Sequence, residues 1–265
     1  MKEIISSTNT TIKEVYKCKN KEAYRKEKHW VLVEGKRQII LALGKLNLIH
    51  LFYCPELLKN KEIKPDAKFA KNKIIQVNKK VFNKISFKNN PDGYLAIFED
   101  KGLKLKDIKL SKNPLVLVLD KVEKPGNLGA LARTALATKI DAIILIDKKV
   151  DPFNPKVISS STGHSLGVDI VSSTREDVIK YLQKNKINIF ATSIEASQNY
   201  LKTNFKEACA LVFGSEDKGL GREWLELADK RIIIPMLGEI DSLNVSVSAA
   251  VVIYEALRQR NLIDF

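Results

Sequence analysis

Apolar positions along this chain fall into two rhythms. Short continuous runs alternate with stretches in which they recur every three or four residues, the pattern of buried strands between amphipathic helices. In the first part, "WVLVEG" (30–35), "LIHLFYC" (48–54), "KIIQV" (73–77) and "GYLAIFE" (93–99) predict strands. "KRQIILALGKL", closed by Gly44, and "NKKVFNKI" predict helices between them, and residues 1 to about 30 read as polar, basic helix with few apolar anchors. These elements make a small α/β unit. The stretch "DKGLKLKDIKLSKNP" (100–114) is charged and weakly periodic, so it reads as a linker, with a short strand at most. It divides the chain into residues 1–105 and 112–265.

The second part alternates more cleanly. Strands are predicted at 115–120, 142–147, 187–193, 209–214 and 231–235, with helices at 128–138, 153–162, 175–185, 221–228 and 245–260. Near-continuous Val/Ile/Leu strands separated by helices imply an α/β fold with a mostly parallel sheet covered on both faces. In the closing helix, Val245, Ala249, Val252, Ile253, Ala256 and Leu257 share one face, and Ser242 and Asn244 stand where an N-cap belongs.

Ligands of open α/β sheets bind beyond the carboxyl ends of the strands, and three loops there are rich in polar and glycine residues. The first, "DKVEKPGNLGALARTALA" (120–137), turns through Pro125-Gly126-Asn127 into a helix expected from Leu128, with Asn127 as its cap. Arg133 follows six residues later, a spacing expected to bring it back toward the side of Asn127. The second is "FGSEDKGLG" and the third "IPMLGEIDSLNVS". Neither a GxGxxG fingerprint nor GxxxxGK[ST] is present, which argues against a dinucleotide or nucleoside-triphosphate site.

Charge separates the two parts. The chain carries 45 Lys/Arg and 31 Asp/Glu; up to residue 110 there are 25 basic against 12 acidic side chains, and beyond it 20 against 19. A net charge near +13 in one portion and +1 in the other points to a polyanion-binding portion, RNA or DNA, joined to a neutral one. The three cysteines form no CxxC pair and the three histidines are dispersed, so no metal site is expected. No run reaches the roughly 18 apolar residues of a membrane span, and no signal-peptide stretch opens the chain, so a cytoplasmic protein is expected.

At the three loops the sequence resembles the SpoU/TrmH family of RNA ribose 2′-O-methyltransferases, of the SPOUT class. "PGNLGALARTA", "LVFGSEDKGL" and "RIIIPMLGEIDSLNVSVSAA" match its three motifs in order, and "VEGKRQI" with "NNPDGYLAIF" resembles the substrate-binding domain of the rRNA-modifying branch. The resemblance implies a C-terminal deep trefoil knot, a homodimer whose active site draws on both subunits, and S-adenosylmethionine as methyl donor. Carried over by motif, it implies cofactor contacts at Gly214, Ile234 and Leu243, and a catalytic set of Asn127, Arg133, Glu216, Ser242 and Asn244. The expected substrate is rRNA in preference to tRNA. The alternatives are a tRNA ribose methyltransferase and a non-catalytic RNA-binding protein of the same fold. Many relatives carry an arginine at the position of Ser159 in "NPKVISSSTG", so the departure bears on which RNA is bound. The motif loops hold no histidine, leaving two readings of Arg133: a transient base, or a cation that holds a phosphate and stabilises the developing alkoxide.

Overall fold

The computed structural model describes residues 2–58, 71–100, 102–196, 198–215 and 217–262. They pack as two compact units. The first comprises the chain up to Gly102 together with Phe153–Gly167; the second comprises Leu103–Pro152 and the chain from Val168. In chain order the elements of the first 100 residues are β1 (Lys2–Ile4), α1 (Thr10–Asn20), α2 (Glu22–Lys28), β2 (Trp30–Glu34), α3 (Lys36–Leu43), β3 (Asn47–Tyr53), β4 (Ile74–Val77), α4 (Lys79–Ile85) and β5 (Tyr94–Glu99). Then follow β6 (Leu115–Asp120), α5 (Pro125–Ala137), β7 (Ala142–Ile146), α6 (Pro155–Ser160), β8 (Ile170–Ser173), α7 (Arg175–Lys184) and β9 (Asn188–Thr192). The chain continues through β10 (Gln198–Asn199), β11 (Cys209–Phe213), α8 (Arg222–Leu227), β12 (Lys230–Ile233) and α9 (Val245–Gln259).

The first unit is built on a five-stranded mixed sheet in the order β1-β4-β3-β5-β2, antiparallel where β5 meets β2 and β3. Strand β1 lies within a segment expected to be helix. It pairs with β4 in parallel, Ile4 opposite Val77, and Ile4 is its one buried residue, so no periodicity marks it. The core continues into α6 and the segment after it: Ile158 and Leu166 join Val33, Ile39 and Phe98 in one apolar cluster. Gly163, at φ +88°, brings the chain against α3, because a Cβ there would lie 2.8 Å from Gln38 Cγ.

The second unit holds a seven-stranded sheet, β10-β12-β9-β11-β6-β7-β8, and every pairing in it is parallel. All six residues of the central β6 and all five of β11 are buried, as a sheet covered on both faces requires. Two short edge strands, β8 and β10, are additions to the sequence expectation. β8 has one fully buried residue, Val171, too few to give a pattern. In the second unit, residues 105–107 form a turn of 3₁₀ helix rather than a strand.

Candidate active site

Helix α5 begins at Pro125, three residues before the expected start. Proline at the first helical position has φ preset and lacks only an N–H that would have no helical partner. Lys124 is therefore the N-cap, and its carbonyl accepts from the N–H groups of Asn127 and Leu128 at 3.0 and 3.2 Å. Asn127 lies inside the first turn and does not cap the helix, which leaves its side chain for other work. It is buried, and its Oδ1 accepts from Asn244 Nδ2 at 3.1 Å.

Asn244 does cap its helix. Its Oδ1 receives the Ser246 N–H at 2.9 Å and the Ser246 hydroxyl at 2.7 Å. With the oxygen held by α9, the amide nitrogen can only donate, and it donates to Asn127, 117 positions away in sequence. One residue thus anchors a helix and ties the first motif to the third.

Gly214, Ile234, Ser242, Leu243 and Asn244 line one cleft of about 550 Å³ at the carboxyl ends of β9, β11 and β12. Gly214 is buried and has an ordinary φ; its need for glycine is close approach. A Cβ there would lie 2.1 Å from the carbonyl carbon of Gly219, in the turn that follows. That turn closes on itself, with Gly219 N–H donating to Ser215 O at 3.0 Å and Gly219 at φ +63°. Glu216, expected in the catalytic set, lies outside the described residues.

Arg133 does not line this cleft. Its side chain is exposed, whereas Asn127 on the same helix is buried. Six helical residues turn through about 600°, so the two side chains point about 120° apart, and the expectation of a shared side is corrected. Ser159 is also exposed, on α6, where its hydroxyl donates to Lys156 O at 3.1 Å.

Sequence reasoning missed other cleft residues: Lys124, Thr192, Ser193, Glu195, Asp217 and Asp241. Ser193 and Glu195 follow a strand that was legible, so the strand-end rule applied to "ATSIEA" would have found them. Asp120 was missed as well. Buried at the end of β6, it accepts from Trp224 Nε1 at 3.0 Å and from an Arg175 guanidinium nitrogen at 3.2 Å. Arg175 also pairs with Glu223. Burial alone would lower the Arg175 pKa; the Asp120 and Glu223 carboxylates outweigh it and raise it. The cluster pins α7 and α8 to the strand ends beside the cleft. Among the described residues no group of His, Cys, Asp and Glu could hold a metal, and no helix is long and apolar enough to cross a membrane. All three cysteines are buried and outside any disulfide, and burial pushes the Cys209 thiol up to about 11.

The parallel sheet, the cleft at its strand ends and the glycine turn against it define an α/β protein with a ligand site at the carboxyl ends of its strands. Comparison with known proteins makes this specific: residues 114–254 match the SpoU rRNA Methylase family and residues 9–96 the MRM3-like substrate binding domain, and the chain belongs to the SpoU family. It is 27% identical over 254 residues to the 23S rRNA (guanosine(2553)-2'-O)-methyltransferase RlmP of Bacillus subtilis, covering 96% of this chain and 98% of that one. An uncharacterized tRNA/rRNA methyltransferase of Synechocystis is 30% identical, with 97% and 94% covered. Among solved structures, an AdoMet-bound rRNA methyltransferase from Sinorhizobium meliloti superposes with a TM-score of 0.88 at 29% identity, over 99% of both chains.

Proposed function

We propose that this protein transfers a methyl group from S-adenosylmethionine to a ribose 2′-hydroxyl of RNA, and that the RNA is large-subunit rRNA. The observation that carries the reading is the convergence of two distant motifs on one site, sealed by the Asn244–Asn127 hydrogen bond at the edge of the strand-end cleft. The cleft fits the methyl donor. Its volume of about 550 Å³ suits a ligand of that size, and Glu195, Asp217 and Asp241 offer carboxylates to a sulfonium, an ammonium and ribose hydroxyls. When bound, the donor supplies an already activated methyl carbon, so the chain's own residues need only position and stabilise.

Gly214, Ile234 and Leu243 hold the cofactor, largely through backbone groups, and Asn127 with Asn244 orients the ribose. Ser242 stands exposed on the same loop and steadies it, and Glu216 completes the catalytic set. Arg133 offers its guanidinium to a substrate phosphate and stabilises the developing alkoxide while the hydroxyl proton passes to water.

Because Arg133 does not line the cleft of its own chain, it serves the cleft of a second copy in a homodimer. Support comes from α9, which packs on α5 and leaves Val247 and Tyr254, seven residues apart, 48% and 49% exposed on one face. The strand-end loops are those that form the trefoil knot in this class of fold, and we assign the knot to the C-terminal part of the chain. The protein acts in the cytoplasm, without a metal.

Methylation of total RNA with isotope-labelled S-adenosylmethionine, followed by mapping of the resistant ribose, tests the assignment. Label in a single large-subunit rRNA nucleotide is expected. Label confined to tRNA moves the substrate, and no label in any RNA while the cofactor binds would leave the non-catalytic alternative.

A further inference from the structure

The substrate-binding unit carries a feature that the reaction at the cleft leaves unused. Helices α1 and α2 meet in an elbow at Lys21, which caps both: its N–H donates to Lys17 O, and it precedes the first residue of α2. Arg25 locks the joint. It is 5% exposed, and its guanidinium donates to Cys18 O at 2.8 Å and Lys19 O at 3.5 Å. Between Thr10 and Lys28 there are seven basic and three acidic side chains, and the apolar face of α1, formed by Ile12, Val15 and Cys18, is spent on the core.

Two tyrosines gather four lysines. Lys17 and Lys28 stand over the Tyr24 ring, 5.6 and 5.8 Å from its centroid. Lys19 and Lys84 stand over the Tyr16 ring at 6.0 and 5.8 Å, and each also donates to a backbone carbonyl, Ser86 O and Ser7 O. A free surface lysine gives up rotamer entropy when a ligand fixes it. Here the rings have already restricted the ammonium groups, so less is lost on binding.

We infer that the α1–α2 elbow, through Lys17 and Lys28 over Tyr24 and the Lys19–Tyr16–Lys84 group, is a docking surface for the phosphate backbone of the substrate RNA. The inference rests on the proposed RNA substrate and names the face that grips it. A membrane surface fits less well, because the aliphatic residues of α1, Ile12 and Val15, are fully buried and leave no aliphatic wedge for a bilayer. Repeated cations held against aromatic faces suit a polymer of phosphates and bases.

The test uses the full chain and large-subunit rRNA transcribed in vitro. In Lys17→Gln/Lys28→Gln, the slope of log affinity against log salt is expected to flatten by about 1.5, near the 0.7–0.9 per lost phosphate contact. The RNA KM should rise about tenfold while kcat and cofactor affinity stay at wild-type values. Lys17→Arg/Lys28→Arg, which keeps the charge, should restore the slope, and Lys106→Gln/Lys109→Gln in the other unit should leave it unchanged. Both lysines of the test pair are exposed, so folding is not at issue. An unchanged slope in the first variant, an equal loss in the Lys106/Lys109 variant, or elbow-dependent binding to phosphatidylserine vesicles at RNA-like strength would overturn the inference. Methyl transfer by the wild-type protein reports on the proposed function separately: if it proceeds while the slope is unmoved, only the elbow assignment fails.

Discussion

Gly214 shows how one missing carbon can shape a site. A methyl group there would fall 2.1 Å from the Gly219 carbonyl carbon and 2.5 Å from Leu220 N, both backbone atoms that no rotamer change can clear. Gly214→Ala must displace the whole turn, at a cost of about 1–3 kcal/mol. Calorimetry is expected to show a lowered melting temperature and cofactor affinity weakened tenfold or more; unaltered affinity would remove the turn from the cofactor site. Arg133 poses the opposite case, an exposed residue with no evident work in its own chain. Arg133→Ala should leave stability within about 0.5 kcal/mol, as exposed substitutions do, and cofactor binding nearly intact. Turnover should fall by about a hundredfold or more, in line with loss of an electrostatic stabiliser of a transition state. Near-normal methylation by this variant would sink its assignment. Asn127, Ser242 and Asn244 were legible as polar residues beside glycine in strand-end loops. The partner of Asn127 was not, because a bond between residues 127 and 244 has no trace in local pattern.

At the level of elements, α9 joins folding to chemistry. Asn244 caps the helix through Oδ1 and reaches Asn127 through Nδ2, and the two roles separate by mutation. Asn244→Ser keeps a good cap and loses only the amide bond, so it should cost about 1 kcal/mol of stability, while the lost amide should lower turnover at least tenfold. Asn244→Ala loses both and should cost a further 1 kcal/mol or so of stability. Thermal denaturation and single-turnover kinetics read the two effects, and full turnover by Asn244→Ser would make the bond merely structural. Helix α9 was legible to within a residue because its apolar positions repeat and its cap is a side chain. Helix α5 was misjudged at its start, since Pro125-Gly126 reads as a turn although proline is a good first helical residue. The elements missed outright, β1, β8 and β10, are edge strands of two to four residues; their backbone pairing holds them, and backbone pairing leaves no mark on side-chain pattern.

For the whole molecule, the chain does not divide at one linker. Phe153–Gly167 leaves the second unit after β7, packs with the first, and returns at β8. Ile158 and Leu166, 1% and 5% exposed, therefore belong to a core that residues 1–102 cannot complete alone. A fragment of residues 1–102 is expected to lose about 3 kcal/mol or more, the burial of two large aliphatic side chains. Denaturant midpoints, and hydrogen exchange of the β2 and β5 amides, should be lower and faster in the fragment than in the full chain. Equal protection would show that the inserted segment contributes nothing to that unit. The segment also contains Ser159, which therefore belongs to the first unit and stands exposed on α6.

The sequence by itself determined the α/β class, most strands, the basic first part and the three motif loops, because each depends on the order of residues over one or two dozen positions. Hydrophobic period, strand-end chemistry and charge are all local sums. Only the tertiary structure decided that Asn244 bonds to Asn127, that Arg133 lies outside the lining of its own cleft, and that residues 153–167 complete the first unit's core. Those facts depend on which distant segments the folded backbone brings within a few ångströms. Many packings satisfy the same local pattern, and burial of the shared core selects one of them.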